Sequence, residues 1–208
     1  PLAYKSSEAL GVRLHDLEDN FLVFAVPWGP YLPDKARCGV SSWRRPKETP
    51  QAKITGLYIT NALAKTEAFE NDFDEAIMLT PDGYVSEGSG ENIFLVIDGK
   101  LVTPASYNNI LMGITRDTVI KLAKNELGIE TIERPIDRSE LYNAEECFLT
   151  GTAANITTVA EVDHCKIGNG EIGEITKKLQ KIYFDVIRGN NPKYLDWCTP
   201  VYKTGVKA

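Results

Sequence analysis

The chain has 208 residues, 43% of them hydrophobic and 25% charged, the balance of an ordinary soluble globular protein with room for a sizeable core. A formal net charge of −6 with scattered basic residues excludes the basic face of a nucleic-acid binder. No apolar run reaches transmembrane length and no signal peptide is visible, so the expectation is a cytoplasmic protein without a membrane partner.

Phe21-Leu22-Val23-Phe24-Ala25-Val26 is a continuous apolar run stopped by Pro27-Trp28-Gly29-Pro30, the pattern of a buried strand ended by a turn. Residues 30–52 hold Pro30, Pro33, Pro46 and Pro50 and predict a connector between domains or a long active-site loop. The densest basic pairs, Arg44-Arg45 and Lys177-Lys178, read as solvated surface. From Ile54 the apolar spacing of Leu57, Ile59, Leu63, Ala64 and Ala68 predicts a helix running to about Asn71. A strand over Glu75–Thr80 follows, then the turn Pro81-Asp82-Gly83 and a short extended piece, Tyr84-Val85-Ser86. Phe94–Ile97 and Lys100–Thr103 form a hairpin through Asp98-Gly99, a pair suited to a type I′ turn.

Thr115–Leu127 has a helical apolar face, and Gly128 is its stop. Thr131–Ile136 and Cys147–Thr150 read as strands, with a short helix near Ser139–Asn143 between them. Thr157–Ile167 reads as a strand or hairpin, and Ile175, Leu179, Ile182, Tyr183 and Val186 mark an amphipathic helix ending near Gly189. Strands come in runs and hairpins rather than in strict βαβ alternation, which favours α+β over a doubly wound sheet.

The 4 cysteines, Cys38, Cys147, Cys165 and Cys198, are widely spaced, and no C-x-x-C pair occurs. The 2 histidines are His15 and His164; His164-Cys165 is adjacent rather than at ligand spacing and reads as sheet or loop. No metal is expected, and reduced thiols fit best.

Chemistry concentrates in Glu87-Gly88-Ser89-Gly90-Glu91-Asn92-Ile93-Phe94, between two strand-like runs. Glycine lets a backbone approach a ligand closely, and sheltered carboxylates need a cationic partner. By itself the segment is a weak signal, and a Gly-rich turn with solvated glutamates is the commoner explanation. Its companions are Lys53 in Gln51-Ala52-Lys53-Ile54-Thr55-Gly56-Leu57-Tyr58, then Gly113-Ile114-Thr115-Arg116-Asp117 and Gly151-Thr152-Ala153-Ala154-Asn155-Ile156. That ordered set resembles the branched-chain amino acid aminotransferases, pyridoxal-phosphate enzymes of fold type IV.

The resemblance runs from Phe21 to about Trp197 and implies a strand pseudo-barrel surrounded by helices. It implies a division into 1–29, adjoining a smaller domain that precedes Pro1, 30–52 as interdomain loop, and 53–208 as large cofactor-binding domain. An arginine that clamps the phosphate belongs to that preceding domain in the family, so the chain alone is expected to turn over feebly. Lys53 stands where the family's catalytic lysine stands, as Schiff-base former and proton carrier. Tyr58 corresponds to the hydroxyl that bonds the cofactor's phenolic oxygen; as a residue it suits a helix face packed into the core equally. Glu87 corresponds to the partner of the pyridine nitrogen. Glu91 and Asn92 fit either a site role or a structural one.

Ile114 and Thr115 open a helix after Gly113, and a helix N-terminus suits a phosphate; Thr115 also suits a plain N-cap. Thr152 and Ala153 correspond to amides and a hydroxyl that meet the phosphate and the substrate carboxylate, in a segment that also reads as a tight turn. Trp28 corresponds to a wall of the apolar substrate pocket, although a lone tryptophan is more often core. The implied reaction is transamination of branched-chain L-amino acids with 2-oxoglutarate, in a homodimer or higher oligomer. The alternatives are a D-amino acid aminotransferase, an amine transaminase, an aminodeoxychorismate lyase, or a catalytically silent module of the same fold.

Overall fold

Strand β6 (Asn92–Ile97) is buried on both faces, and that sets the layering of the molecule. Ile93 and Leu95 enter one core with Ile77, Leu79, Cys147 and Leu149. Phe94 and Val96 enter a second core with Leu101, Phe148, Leu122 and Leu179, where the Phe94 and Phe148 rings stack with centroids 5.1 Å apart. A strand covered on both faces reads as an unbroken apolar run rather than an alternation, as Ile93-Phe94-Leu95-Val96-Ile97 does.

The computed structural model describes residues 1–47 and 51–200. Residues 48–50 of the expected connector and 201–208 of the expected C-terminal domain lie outside the described residues. The architecture is α+β, a curled sheet flanked by helices. Besides β6 the sheet contains β3 (Lys35–Arg44), β4 (Glu75–Leu79), β5 (Val85–Gly88), β7 (Lys100–Thr103), β8 (Thr131–Glu133), β9 (Glu146–Gly151) and β10 (Asn155–Val162), in the order β5-β4-β3-β10-β9-β6-β7-β8. A short β11 (Cys165–Lys166) pairs with β10. The two ends of the sheet meet: Val85 N donates to Ile136 O at 2.9 Å, and Tyr84 bridges Asp137. This contact bends the sheet into the strand pseudo-barrel expected from the resemblance.

β3 runs parallel to both neighbours, β4 and β10. A parallel pair needs a crossover, and α1 (Ile59–Glu70) supplies it, packing Ala64 and Ala68 against Ala76 and Met78. On the other side α2 (Ile114–Leu127) and α4 (Glu174–Ile187) cover the Phe94–Phe148 core. A one-and-a-half-turn α3 (Arg138–Asn143) leads into β9 and carries a capping box between Asp137 and Glu140. The β6–β7 turn has Asp98 at φ 50° and Gly99 at φ 66°, the left-handed pair that a type I′ turn requires. Gly128 ends α2 at φ 66°.

Two sequence expectations are corrected. Residues 30–52 are not a loop throughout, because Lys35–Arg44 form a central strand of the sheet. The four prolines flank that strand without entering it, and its small buried residues, Ala36, Cys38, Gly39 and Ser41, hide the apolar signature. The main body therefore begins before residue 53. The second correction concerns Phe21–Val26. The ribbon consists of β1 (Leu2–Lys5) paired with β2 (Asp19–Leu22), and Phe21, Val23, Phe24 and Val26 are all exposed. An apolar run reports a preference for burial; what covers it is a separate matter.

Glu146 links the sheet to α4. Its carboxylate accepts from Ile175 N at 2.9 Å, Thr176 N at 2.8 Å and the Thr176 hydroxyl at 2.7 Å. It thus serves as a tertiary N-terminal cap for a helix whose own flanking residue, Gly173, has no side chain to offer. Loss of a helix cap costs about 1–2 kcal/mol. Glu146→Ala is expected to lower stability by that amount in urea unfolding, with the midpoint moving and the slope unchanged.

Candidate functional site

Five segments converge at one end of the sheet: residues 53–58, the end of β5, the start of β6, the N-terminus of α2 and the turn between β9 and β10. They enclose a cavity of about 260 Å³ lined by Lys53, Tyr58, Glu87, Ser89 to Asn92, Leu111 to Thr115 and Thr150 to Thr152. Of the residues singled out in the sequence, Lys53, Tyr58, Glu87, Ile114, Thr115 and Thr152 are brought together here.

Lys53 precedes a single 3-10 turn, Thr55–Tyr58, which carries the tyrosine back toward it. Lys53 Nζ donates to the Tyr58 hydroxyl oxygen at 2.9 Å. Lys53 is exposed and Tyr58 half-buried. Glu87, in the same cavity lining, is 4% exposed and accepts three hydrogen bonds. Its Oε1 accepts from Arg45 Nε at 2.7 Å, and its Oε2 accepts from Leu111 N at 2.9 Å and Asn92 Nδ2 at 3.2 Å. Burial pushes the Glu87 carboxyl up to about 7, while Arg45, the Leu111 amide and Lys53 pull in the other direction.

Glu91 is equally buried. Its Oε2 accepts from Gly90 N at 3.2 Å, and its Oε1 has no hydrogen-bond partner among the described residues. The neighbouring Glu75 has a cation, Lys65, at 2.6 Å, and Glu87 has Arg45. Burial, followed by the charge of Glu75, pushes Glu91 up to about 8. Burial and the same two glutamates, Glu91 and Glu75, push the Tyr31 phenol up to about 12.

The third wall consists of backbone donors. Gly113 is extended at φ −69°, ψ 141°, and α2 begins at the next residue, so its first-turn amides point out of the helix end. Ile114 is 85% exposed beside them. The Thr150 hydroxyl, buried and without a partner among the described residues, borders the same cavity. An amine, a carboxylate and a helix N-terminus in one cavity lining suit, in turn, an aldehyde, a protonated ring nitrogen and a phosphate. The residues present therefore fit pyridoxal phosphate. Among the described residues no group of three or more His, Cys, Asp or Glu could hold a metal, and no helix is long and apolar enough to cross a membrane.

Two expected residues are not brought in. Trp28 is exposed and packs edge-on against Tyr31 at 5.9 Å, outside the cavity lining. Ala153 borders a different cavity, of about 350 Å³, with Tyr31 and Phe184. The next residue back, Thr152, is the last of its turn to reach the Lys53 cavity. The sequence also misplaced Arg45 on the surface, whereas it is 1% exposed. Nothing in an Arg-Arg pair distinguishes the buried member. The nearest signal was that a sheltered Glu87 requires a cation, and Arg45 is that cation.

Residues 3–162 match the family model for class IV amino-transferases. The chain belongs to that family. It is 50% identical over 207 residues to a probable branched-chain-amino-acid aminotransferase of Aquifex aeolicus, covering 97% of this chain and 67% of that one. Among solved structures it is similar to the branched-chain aminotransferase of Thermoproteus uzoniensis with norvaline, at TM-score 0.91 and 43% identity over 96% of this chain and 67% of that chain. It is similar also to the T.th. branched-chain amino acid aminotransferase complexed with N-(5'-phosphopyridoxyl)-L-glutamate, at TM-score 0.78 and 42% identity. That match covers 80% of this chain and 57% of the other. The chain thus spans about two thirds of the length of its relatives, or less.

The carboxyl of Glu91 has a definite signature in stability. Its folded value, about 8, lies above the ordinary 4.5, so between these values the folded chain binds the extra proton. Its contribution is present below 4.5 and is lost as pH rises through about 8. Glu91→Gln cannot ionise. Urea unfolding across that range is expected to show the variant gaining on the parent chain as pH rises; parallel curves would contradict the assignment.

Proposed function

We propose that this chain forms the cofactor-bearing body of a pyridoxal-phosphate-dependent aminotransferase, converting branched-chain L-amino acids and 2-oxoglutarate into branched 2-oxo acids and glutamate. The observation that carries this reading is the Lys53 amine, 2.9 Å from the Tyr58 hydroxyl, in one cavity with Glu87 and the α2 N-terminus. The similarity to relatives named as branched-chain aminotransferases supports the substrate class. The phosphopyridoxyl-glutamate bound to one of the similar solved enzymes supports the cofactor and the second amino acid.

When bound, the cofactor supplies an electron sink for the substrate's α-carbon. Lys53 would hold the cofactor through its Nζ, and its amine, once free, would move the proton that leaves the substrate's α-carbon. The Tyr58 hydroxyl, already in contact with Nζ, orients that amine. Glu87 would hold the ring nitrogen, and the Ile114 and Thr115 amides, with the Thr115 hydroxyl, would hold the phosphate. Thr152 and the adjoining backbone serve the phosphate and the substrate carboxylate; Ala153 and Trp28 join the substrate side only if the β9–β10 turn and the segment before Tyr31 are carried toward the cavity in the complete protein.

The same reading divides the chain into the ribbon of 1–29, next to a smaller domain, and a cofactor-bearing body that includes β3. It makes the complete protein a homodimer or higher oligomer in which the exposed Phe21, Val23, Phe24 and Val26 are covered.

Borohydride reduction of the pyridoxal-phosphate-treated chain, followed by peptide mapping, is expected to show a pyridoxyl group on Lys53. A label on another lysine, with Lys53 clean, would overturn the site. In the complete protein, leucine, isoleucine and valine are expected to exceed D-alanine and an aryl amine in kcat/KM. A preference for D-alanine would move the protein to a different class IV activity.

A further inference from the structure

Arg45 follows the last residue of β3 and does not border the cavity. Its side chain nevertheless reaches the site from behind Glu87. Nε donates to Glu87 Oε1 at 2.7 Å, and Nη1 donates to Asn61 Oδ1 at 2.9 Å. The guanidinium carbon lies 5.7 Å from the centroid of the Tyr58 ring. Asn61 Nδ2 in turn donates to the Ser89 carbonyl at 2.7 Å. Asn109 Nδ2 donates to the Arg45 carbonyl at 3.2 Å and holds its backbone. One buried cation therefore touches the carboxylate, the ring beside Lys53 and, through Asn61, the turn of residues 88–90.

The charge state of Glu87 depends on this neighbour. Burial favours its neutral form. Opposing burial are Arg45, the Leu111 amide and Lys53. Lys53 is exposed and, on the proposed reading, engaged by the cofactor during turnover, so it is no constant counter-charge. Arg45 is buried, and an arginine stays protonated at any working pH.

Resting on the proposed function, we infer that Arg45 is a positioning residue that keeps Glu87 anionic and aimed at the cofactor's ring nitrogen. It acts through Glu87 and touches neither cofactor nor substrate. Its two directed bonds, to Glu87 and to Asn61, need the guanidinium fork; a lysine restores the charge but not both bonds.

The test compares the affinity of the 208-residue chain for pyridoxal phosphate with its affinity for the 1-deaza analogue, in which the ring nitrogen is a C–H. The ratio of the two isolates the nitrogen contact, and binding is read by fluorescence quenching without any turnover. The parent chain is expected to favour the natural cofactor. Arg45→Met and Glu87→Gln should each lower the ratio about ten-fold, the difference between a charge-assisted and an ordinary hydrogen bond. The double variant should lower it no further, and Arg45→Lys should recover part of it. A purely structural role for Arg45 would weaken both ligands alike and leave the ratio intact in Arg45→Met while Glu87→Gln lost it; that result would overturn the inference. A ratio near one in the parent chain, or one unmoved by Glu87→Gln, would overturn the assignment of Glu87 itself and the inference with it. Mapping of the borohydride-reduced chain reports separately on Lys53, so the two failures are distinguishable.

Discussion

A carboxylate cannot be buried without a counter-charge, and the end of the sheet is organised around that constraint. Glu75, Glu87 and Glu91 are all nine-tenths buried or more within one region. Taking an ion pair out of water costs several kcal/mol per ion unless the pair is well aligned and its remaining hydrogen-bond sites are filled. Glu87 meets the condition with three donors, from Arg45, Leu111 and Asn92. Glu75 meets it with Lys65 and the Ala76 amide. Glu91 has only the Gly90 amide, at 3.2 Å, and so is held toward its neutral form. Satisfying Glu87 also fixes the surrounding backbone, because its donors come from the end of β3, the start of β6 and the segment before α2. The site's walls are held together by the same bonds that make its central charge tolerable.

The glycines of the motif follow from this crowding. A Cβ on Gly88 would stand 2.6 Å from Glu91 Oε2 and 3.2 Å from the Glu91 carbonyl oxygen, so a larger residue would displace the Glu91 carboxylate and press on its carbonyl. Gly88 N donates to that same carbonyl at 2.7 Å and closes the turn. At Gly113 a Cβ would run into the Asn92 side chain, which is fixed by its bonds to Glu87 and the Leu111 carbonyl. Both glycines thus serve close packing between site segments, at ordinary backbone angles in the case of Gly113.

Most of the regular structure was legible because it is locally encoded. Asp98-Gly99 between two apolar runs specifies a hairpin by itself, and the Ile114–Leu127 helix carries its stop signal in Gly128. The strand β3 was not legible. Its buried positions are filled by small residues that fit between α1 and the inner core, so the apolar periodicity that announces β6 is missing. The exposed Phe21–Val26 run failed for the opposite reason, a strong local signal without a covering surface among the described residues. At the site, Lys53, Tyr58, Glu87, Ile114, Thr115 and Thr152 line one cavity, whereas Ala153 borders another. Arg45 and Asn61 did not announce themselves, since their importance lies in contacts 42 and 28 residues away in sequence, to Glu87 and the Ser89 carbonyl.

The contrast between Lys53 and Glu87 bears on how labour is divided in the cavity. Glu87 sits on a strand, is buried and has both oxygens tied, so it can neither swing nor exchange partners cheaply. Lys53 is exposed at the end of a four-carbon stem, with the Tyr58 hydroxyl as its hydrogen-bond acceptor. On the proposed function Lys53 holds the cofactor and moves a proton, a role that needs that freedom. The fixed charge proposed for Glu87 needs the opposite, because oriented charge contributes most when it need not reorganise during a reaction. Exchanging the two environments would leave a buried lysine driven toward its neutral form and a solvated carboxylate weakened by water. One mobile amine and one immobile carboxylate in the same cavity lining are therefore the combination that the proposed function requires.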